Sequence, residues 1–180
     1  LYGSYLYVTS IKDNGFEVWN VSDPANPKVV HTMTDTSETF TQKAHTILFK
    51  DGYGYLSSTG DSAIQIFNVS DPANPVPTTA VHDNETIALG GVHEIAMQGD
   101  YIYAAGREEG GIAIFHIMPP GKLVHVASIF DNEEMALKRP EGLIVTDKGY
   151  AYVMSTREGL EVLDISNPAK PTHVKAMFDA

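Results

Sequence analysis

Phe16-Glu17-Val18-Trp19-Asn20-Val21-Ser22-Asp23-Pro24-Ala25-Asn26-Pro27 is the stretch that decides the fold. It returns 48 residues later as Ile64-Gln65-Ile66-Phe67-Asn68-Val69-Ser70-Asp71-Pro72-Ala73-Asn74-Pro75. A third copy, Ile112-Ala113-Ile114-Phe115-His116-Ile117-Met118-Pro119-Pro120, keeps the apolar run but loses the polar tail. A fourth, Leu160-Glu161-Val162-Leu163-Asp164-Ile165-Ser166-Asn167-Pro168-Ala169-Lys170-Pro171, restores it, again 48 residues on. Four copies in register mark an internal repeat, and a period of about 40–50 residues is that of a propeller blade.

Around this stretch each unit reads as four short strands. A tyrosine-alternating run precedes it: Tyr5-Leu6-Tyr7-Val8, Tyr53-Gly54-Tyr55-Leu56, Tyr101-Ile102-Tyr103-Ala104 and Tyr150-Ala151-Tyr152-Val153. Tyrosine and apolar residues at period two suit a pleated, half-buried surface. Before that lies a mostly apolar run, such as Thr46 to Phe49 or Leu143 to Val145, and after the proline pair comes a fourth, such as Lys28 to Thr32 or Thr172 to Met177. In the Ser-Asp-Pro-Ala-Asn-Pro turn, Ser and Asp side chains bond backbone amides just ahead and Pro fixes φ. The second Pro opens an outermost strand, where a missing N–H hinders pairing with foreign strands.

The expectation is an all-β chain: a β-propeller of four-stranded antiparallel blades spanning 1–180. The repeats fall at 1–43 (without a first strand), 44–91, 92–139 and 140–180. Propellers close with roughly 4–8 blades, so the expectation is an arc of a larger ring whose remaining blades lie elsewhere. One stretch, Glu133 to Lys138, reads as a helical turn.

Composition narrows the function classes. With 43% hydrophobic and 19% charged residues the 180-residue chain is globular rather than disordered. Twelve Lys and Arg against 23 Asp and Glu give a net charge of −11, which argues against nucleic acid and anionic membrane surfaces as partners. The absence of cysteine excludes disulfides, thiolate metal sites and cysteine nucleophiles. No apolar run of about 18 residues is present to span a bilayer as a helix. Phosphate-loop, nucleophile-elbow and His-Glu-x-x-His motifs are also absent.

The third-strand stretch resembles the LVIVD repeat, whose consensus is of the form Leu-x-Val-x-Asp-Val/Ile-Ser. Leu160 to Ser166 matches it best, and Phe16 to Ser22 and Ile64 to Ser70 carry Asn20 and Asn68 in place of Asp. The third copy departs at His116 and Met118. The resemblance implies propeller-like blades and an extracellular or cell-surface prokaryotic protein. It implies no particular catalytic activity.

The repeat also aligns polar residues. His45, His93 and Glu141 stand 48 apart, each at the start of a first strand, the innermost of a propeller blade. They are expected around one mouth of the central channel. Two histidines and a carboxylate suit zinc or iron, so a divalent metal is a possible cofactor, although none is assigned. The same trio suits a general base or acid. The competing reading is structural: such side chains bond backbone at a strand end. A second set, Asp35, Asp83 and Asp131 with Glu85 and Glu133, begins the connections between blades. It forms either an acidic rim able to hold calcium or a set of turn caps. Arg107 and Arg157, in second-to-third-strand loops on the same face, suit an anionic ligand or solvent.

Three functions follow. The first is a surface or secreted binding module for a protein, glycan or small molecule. The second is a hydrolase or lactonase-like enzyme using His45, His93 and Glu141. The third is a purely structural array. The long, dissimilar loops Asp35 to Lys43, Asp83 to Val92 and Asp131 to Pro140 favour the first two.

Overall fold

A computed structural model describes residues 1–179. Its four antiparallel sheets follow the repeat in strict chain order. Blade 1 comprises β1 (Tyr5–Ser10), β2 (Gly15–Asn20) and β3 (Lys28–Thr34). Blade 2 comprises β4 (Ala44–Lys50), β5 (Tyr53–Ser58), β6 (Ala63–Asn68) and β7 (Val76–His82). Blade 3 comprises β8 (Val92–Gln98), β9 (Tyr101–Gly106), β10 (Gly111–Met118) and β11 (Lys122–Phe130). Blade 4 comprises β12 (Pro140–Val145), β13 (Tyr150–Ser155), β14 (Gly159–Asp164) and β15 (Thr172–Phe178). This is the propeller architecture the repeat predicts. β8 packs between β4 and β12, so first strands line the inside of the arc and β3, β7, β11 and β15 form its outer edges.

Three apolar layers hold the blades together. Tyr7, Phe16 and Val18 of blade 1 bury against Leu56 and Phe67 of blade 2. Tyr55, Ile64 and Ile66 meet Ile95, Ile102 and Phe115, and Tyr103, Ile112 and Ile114 meet Val153 and Leu163. Each such side chain contributes about 1.5–3 kcal/mol on burial. The same surfaces are uncovered at the two ends of the arc. Tyr152 is 39% exposed where its equivalent Tyr55 is fully buried, and Val8 is 42% exposed where Leu56 is fully buried.

The Asp-Pro turn works as its side chains suggest. Asp23 Oδ1 accepts from Ala25 N at 3.0 Å and Asp71 Oδ1 from Ala73 N at 3.1 Å. The turn also locks neighbours together, because the Tyr7 hydroxyl donates to Pro72 O at 2.7 Å. In the degenerate third copy the ladder runs on instead, pairing Met118 with Lys122 across a tight hairpin.

Glu133 to Lys138 does not form the helical turn read from the sequence. Residues 133 and 134 form a turn, and the chain then runs irregularly. Met135 N reaches back to Asn132 O at 3.1 Å, but the next amides are taken by side chains: Ala136 N donates to Glu161 Oε2 and Leu137 N to Asp131 Oδ1. The Ala136 position shows how the repeat tolerates change. Its equivalents Phe40 N and Ala88 N donate to Gln65 Oε1 and Ser128 Oγ. One backbone donor is thus satisfied by three different acceptors, as a shielded N–H requires.

Candidate functional site

The face carrying the blade-to-blade loops is built on repeated backbone clasps. Asp35, Asp83 and Asp131 each accept from the amide six residues on: Thr41 N at 3.1 Å, Leu89 N at 2.9 Å and Leu137 N at 3.1 Å. These carboxylates close their own loops, while Glu85 and Glu133 lie exposed in the same loops. A second set comes from the second-to-third-strand loops: Asp61 accepts from Gln42 N, Glu109 from Gly90 N and Glu158 from Lys138 N, at 2.9–3.0 Å. Burial pushes the Glu109 carboxyl above its ordinary value. Just ahead of each first strand stands a left-handed residue: Lys43, Gly91 and Arg139, with φ of 53°, 59° and 57°. A long side chain in this region is uncommon and costly, and such positions cluster at functional sites.

Each first strand then bulges. Pairing skips from Ala44 to Ile47, from Val92 to Ile95 and from Pro140 to Gly142. His45 and Thr46, His93 and Glu94, and Glu141 are the residues skipped. Bulges re-aim side chains, and here they set the recurring polar residues at the inner rim of the arc.

At two of the three junctions, hydroxyls of the preceding blade hold the bulge. Thr9 Oγ1 donates to His45 O at 2.6 Å, Ser57 Oγ to His93 O at 2.9 Å and Thr59 Oγ1 to Val92 O at 2.8 Å. The blade 3–4 junction lacks these groups. Ala105 stands where Ser57 does, and Arg107 where Thr59 does. Glu141 O there lies 3.2 Å from His93 Nδ1. A carbonyl only accepts, so Nδ1 carries the proton and Nε2 presents a lone pair. Burial, together with neighbouring His45, holds His93 below the ordinary histidine range, which keeps this ring neutral at pH 7. The His45 and His93 ring centroids are 3.6 Å apart.

The Glu141 carboxylate is engaged from two sides. Its Oε1 lies 2.7 Å from Arg107 Nε and 3.7 Å from Arg139 Nη2. Arg107 Nε is shielded from water and makes no aligned hydrogen bond, so this contact is mainly charge on charge. Beside it a cavity of about 270 Å³ is lined by Arg107, Glu108, Arg139 and Arg157.

His45, His93 and Glu141 therefore come together, as a chain of ring contact, hydrogen bond and ion pair. Among the described residues no group of three His, Asp or Glu side chains is placed to hold a metal ion. Sequence reading missed Arg139, although the 48-residue set Lys43, Gly91, Arg139 carries two cations. It also missed Glu94, which accepts from Thr46 Oγ1 at 2.9 Å across the neighbouring junction.

With fold and rim in view, the class is that of an arc of β-propeller blades. The sequence profile of the LVIVD repeat matches residues 1–35 and 144–177, so the first and last blades carry LVIVD repeats. No curated protein matches the chain in sequence. Solved structures share the fold. A proposed 6-phosphogluconolactonase from Bacteroides uniformis is 17% identical with a TM-score of 0.74, over 97% of this chain and 53% of that one. The periplasmic gluconolactonase of Pseudomonas aeruginosa is 12% identical with a TM-score of 0.75, over 98% and 53%. A protein from Lactobacillus plantarum is 14% identical with a TM-score of 0.80, over 97% and 54%. The chain thus spans about half the length of these structures.

Proposed function

We propose that this chain is the ligand-binding part of a secreted or cell-surface β-propeller, with its binding site at the blade 3–4 junction on the inner rim. The observation that carries the reading is a local departure from the repeat. Where the other junctions place hydroxyl clasps, this one places three arginines around an open cavity, two of them paired with Glu141, whose carbonyl lies against His93. Rigid blades that present variable residues at one rim are suited to recognition. The LVIVD repeats support the extracellular setting. Further blades of the same ring are the proposed cover for the exposed end faces at Val8 and Tyr152.

The test is equilibrium dialysis of the purified chain and its His93→Ala/Arg139→Ala variant against a small-molecule extract of the source cells. A compound enriched by the wild type and lost with the variant supports the reading. Equal enrichment by both, or none by either, contradicts it.

A second reading, hydrolysis of a lactone, is favoured by the neutral His93 ring and is consistent with the lactonase names among the structural neighbours. His93 Nε2 would take a proton from water as the water oxygen attacks the lactone carbonyl, and the imidazolium would return that proton to the ring oxygen as the C–O bond breaks, giving a hydroxy acid. The reading requires turnover of glucono-δ-lactone that His45→Ala/His93→Ala abolishes in a folded protein. Turnover that survives that variant, or no turnover above the uncatalysed rate, removes it.

A further inference from the structure

We infer that the rim site takes a small organic anion, its carboxylate or phosphate group seated between Arg139 and Arg157. The inference rests on the rim being the ligand site and names what binds there.

The first argument is charge. In a chain of net charge −11, three guanidinium groups share one cavity. Like charges gathered in this way repel unless a counter-charge sits among them. Among the described residues Glu141 is the carboxylate within 4 Å of any of the three, and it sits nearest Arg107. Arg139 shares it at 3.7 Å, and Arg157 pairs with no carboxylate among the described residues. The neighbouring acids are committed to backbone amides: Asp131 to Leu137, Glu158 to Lys138 and Glu109 to Gly90. Glu108 is the carboxylate that lines the cavity, so within its lining three cations face one anion. Such a lining favours an anionic ligand.

The second argument is shape. Guanidinium presents a planar fork of donors that matches a carboxylate or phosphate two bonds at a time. A cavity of about 270 Å³ suits a ligand of a few carbons rather than a polymer.

The test is calorimetric titration of the chain at about 50 mM salt, where surface charge is only partly screened. Gluconate and glucose 6-phosphate are the anionic probes, and glucose is the neutral control. At least one anion binds saturably and glucose does not, and the tighter anion tells carboxylate from phosphate. Arg139→Ala and Arg157→Ala each weaken that binding about tenfold, as loss of a charged hydrogen bond predicts, while Glu108→Gln strengthens it. Both arginine variants are checked for unchanged melting temperature. Failure of both anions to bind at 10-fold molar excess over a millimolar Kd (about 10 mM) overturns the inference. So does binding unchanged in Arg139→Ala and Arg157→Ala. Glucose bound as tightly as the anions, and lost in Arg139→Ala, overturns the anion while leaving the rim as the ligand site. Binding that survives every rim variant overturns both readings.

Discussion

The blade 2–3 and blade 3–4 junctions share a fold, each with a bulged first strand, and differ in the residues that stand there. At the first, Ser57 bridges Thr46 and His93 O, and Thr59 reaches Val92 O, so hydroxyls fasten one inner strand to the next. At the second, Ala105 and Arg107 occupy those places, and the bulge carbonyl of Glu141 turns to His93. The fold does not come apart where its hydroxyl clasps are lost, because Leu143, Ala151, Val153 and Leu163 still pack on Tyr103, Ile112 and Ile114. Packing supplies the adhesion, and the small polar positions are thereby free to diverge. In a repeat protein, a site is best sought where equivalent positions stop doing the same structural task.

Five substitutions, the last followed across pH, break or sharpen this comparison, from the largest effect to the smallest. Glu161 is fully buried, accepts from Ala136 N at 2.9 Å and meets His173 Nδ1 at 2.7 Å, and so anchors the loop that carries Arg139. Glu161→Ala leaves that amide unpaired and opens a cavity, at a cost of about 3 kcal/mol. Glu161→Gln costs far less, since Gln65 already does the equivalent work in blade 2. Urea unfolding of the two variants checks the ratio, and equal losses would show that charge, not hydrogen bonding, holds the loop.

Ser57→Ala removes a buried hydroxyl that accepts from Thr46 N and donates to His93 O, and should cost about 2 kcal/mol, or about 5 °C in melting temperature. A loss below about 0.5 kcal/mol would mean that hydroxyl clasps contribute little at any junction. The reverse exchange, Ala105→Ser, offers Glu141 O a hydroxyl in competition with His93. It should raise stability by about 0.5–1 kcal/mol, as read by paired thermal melts.

The smallest effect is in pH. His93 has a folded-state pKa below its unfolded value, so the unfolded chain takes up the proton first as pH falls. Its contribution is flat above about pH 6.5 and is lost as pH drops through that value toward the folded pKa. His93→Gln should therefore lose less melting temperature than the wild type between pH 7.5 and pH 5.5. An identical slope in both would mean that the ring is not held neutral.

Much of this was legible in the sequence, and the limits are instructive. The 48-residue period fixes strand order, because four copies of one supersecondary unit admit few arrangements. It also places His45, His93 and Glu141 together, since equivalent positions on successive blades must stand side by side. What the residues do there depends on angles that spacing does not carry. Nothing in Glu141 itself shows that Arg139 reaches it, because that contact arises from a left-handed residue just before Pro140. Asp35, Asp83 and Asp131 read as turn caps or as an acidic rim, and the bonds to amides six residues ahead show them capping. The helical turn expected at Glu133 to Lys138 fails for a related reason: Glu161, distant in sequence, claims the amide of Ala136.

The most direct test of the central claim is to follow the arginine Nε–Hε resonances by two-dimensional NMR during a gluconate and glucose 6-phosphate titration. The account predicts saturable shifts at Arg139 and Arg157, with smaller ones at Arg107, whose nearer charge is Glu141. Resonances that stay fixed at all three, or that move only outside the blade 3–4 junction, would contradict it.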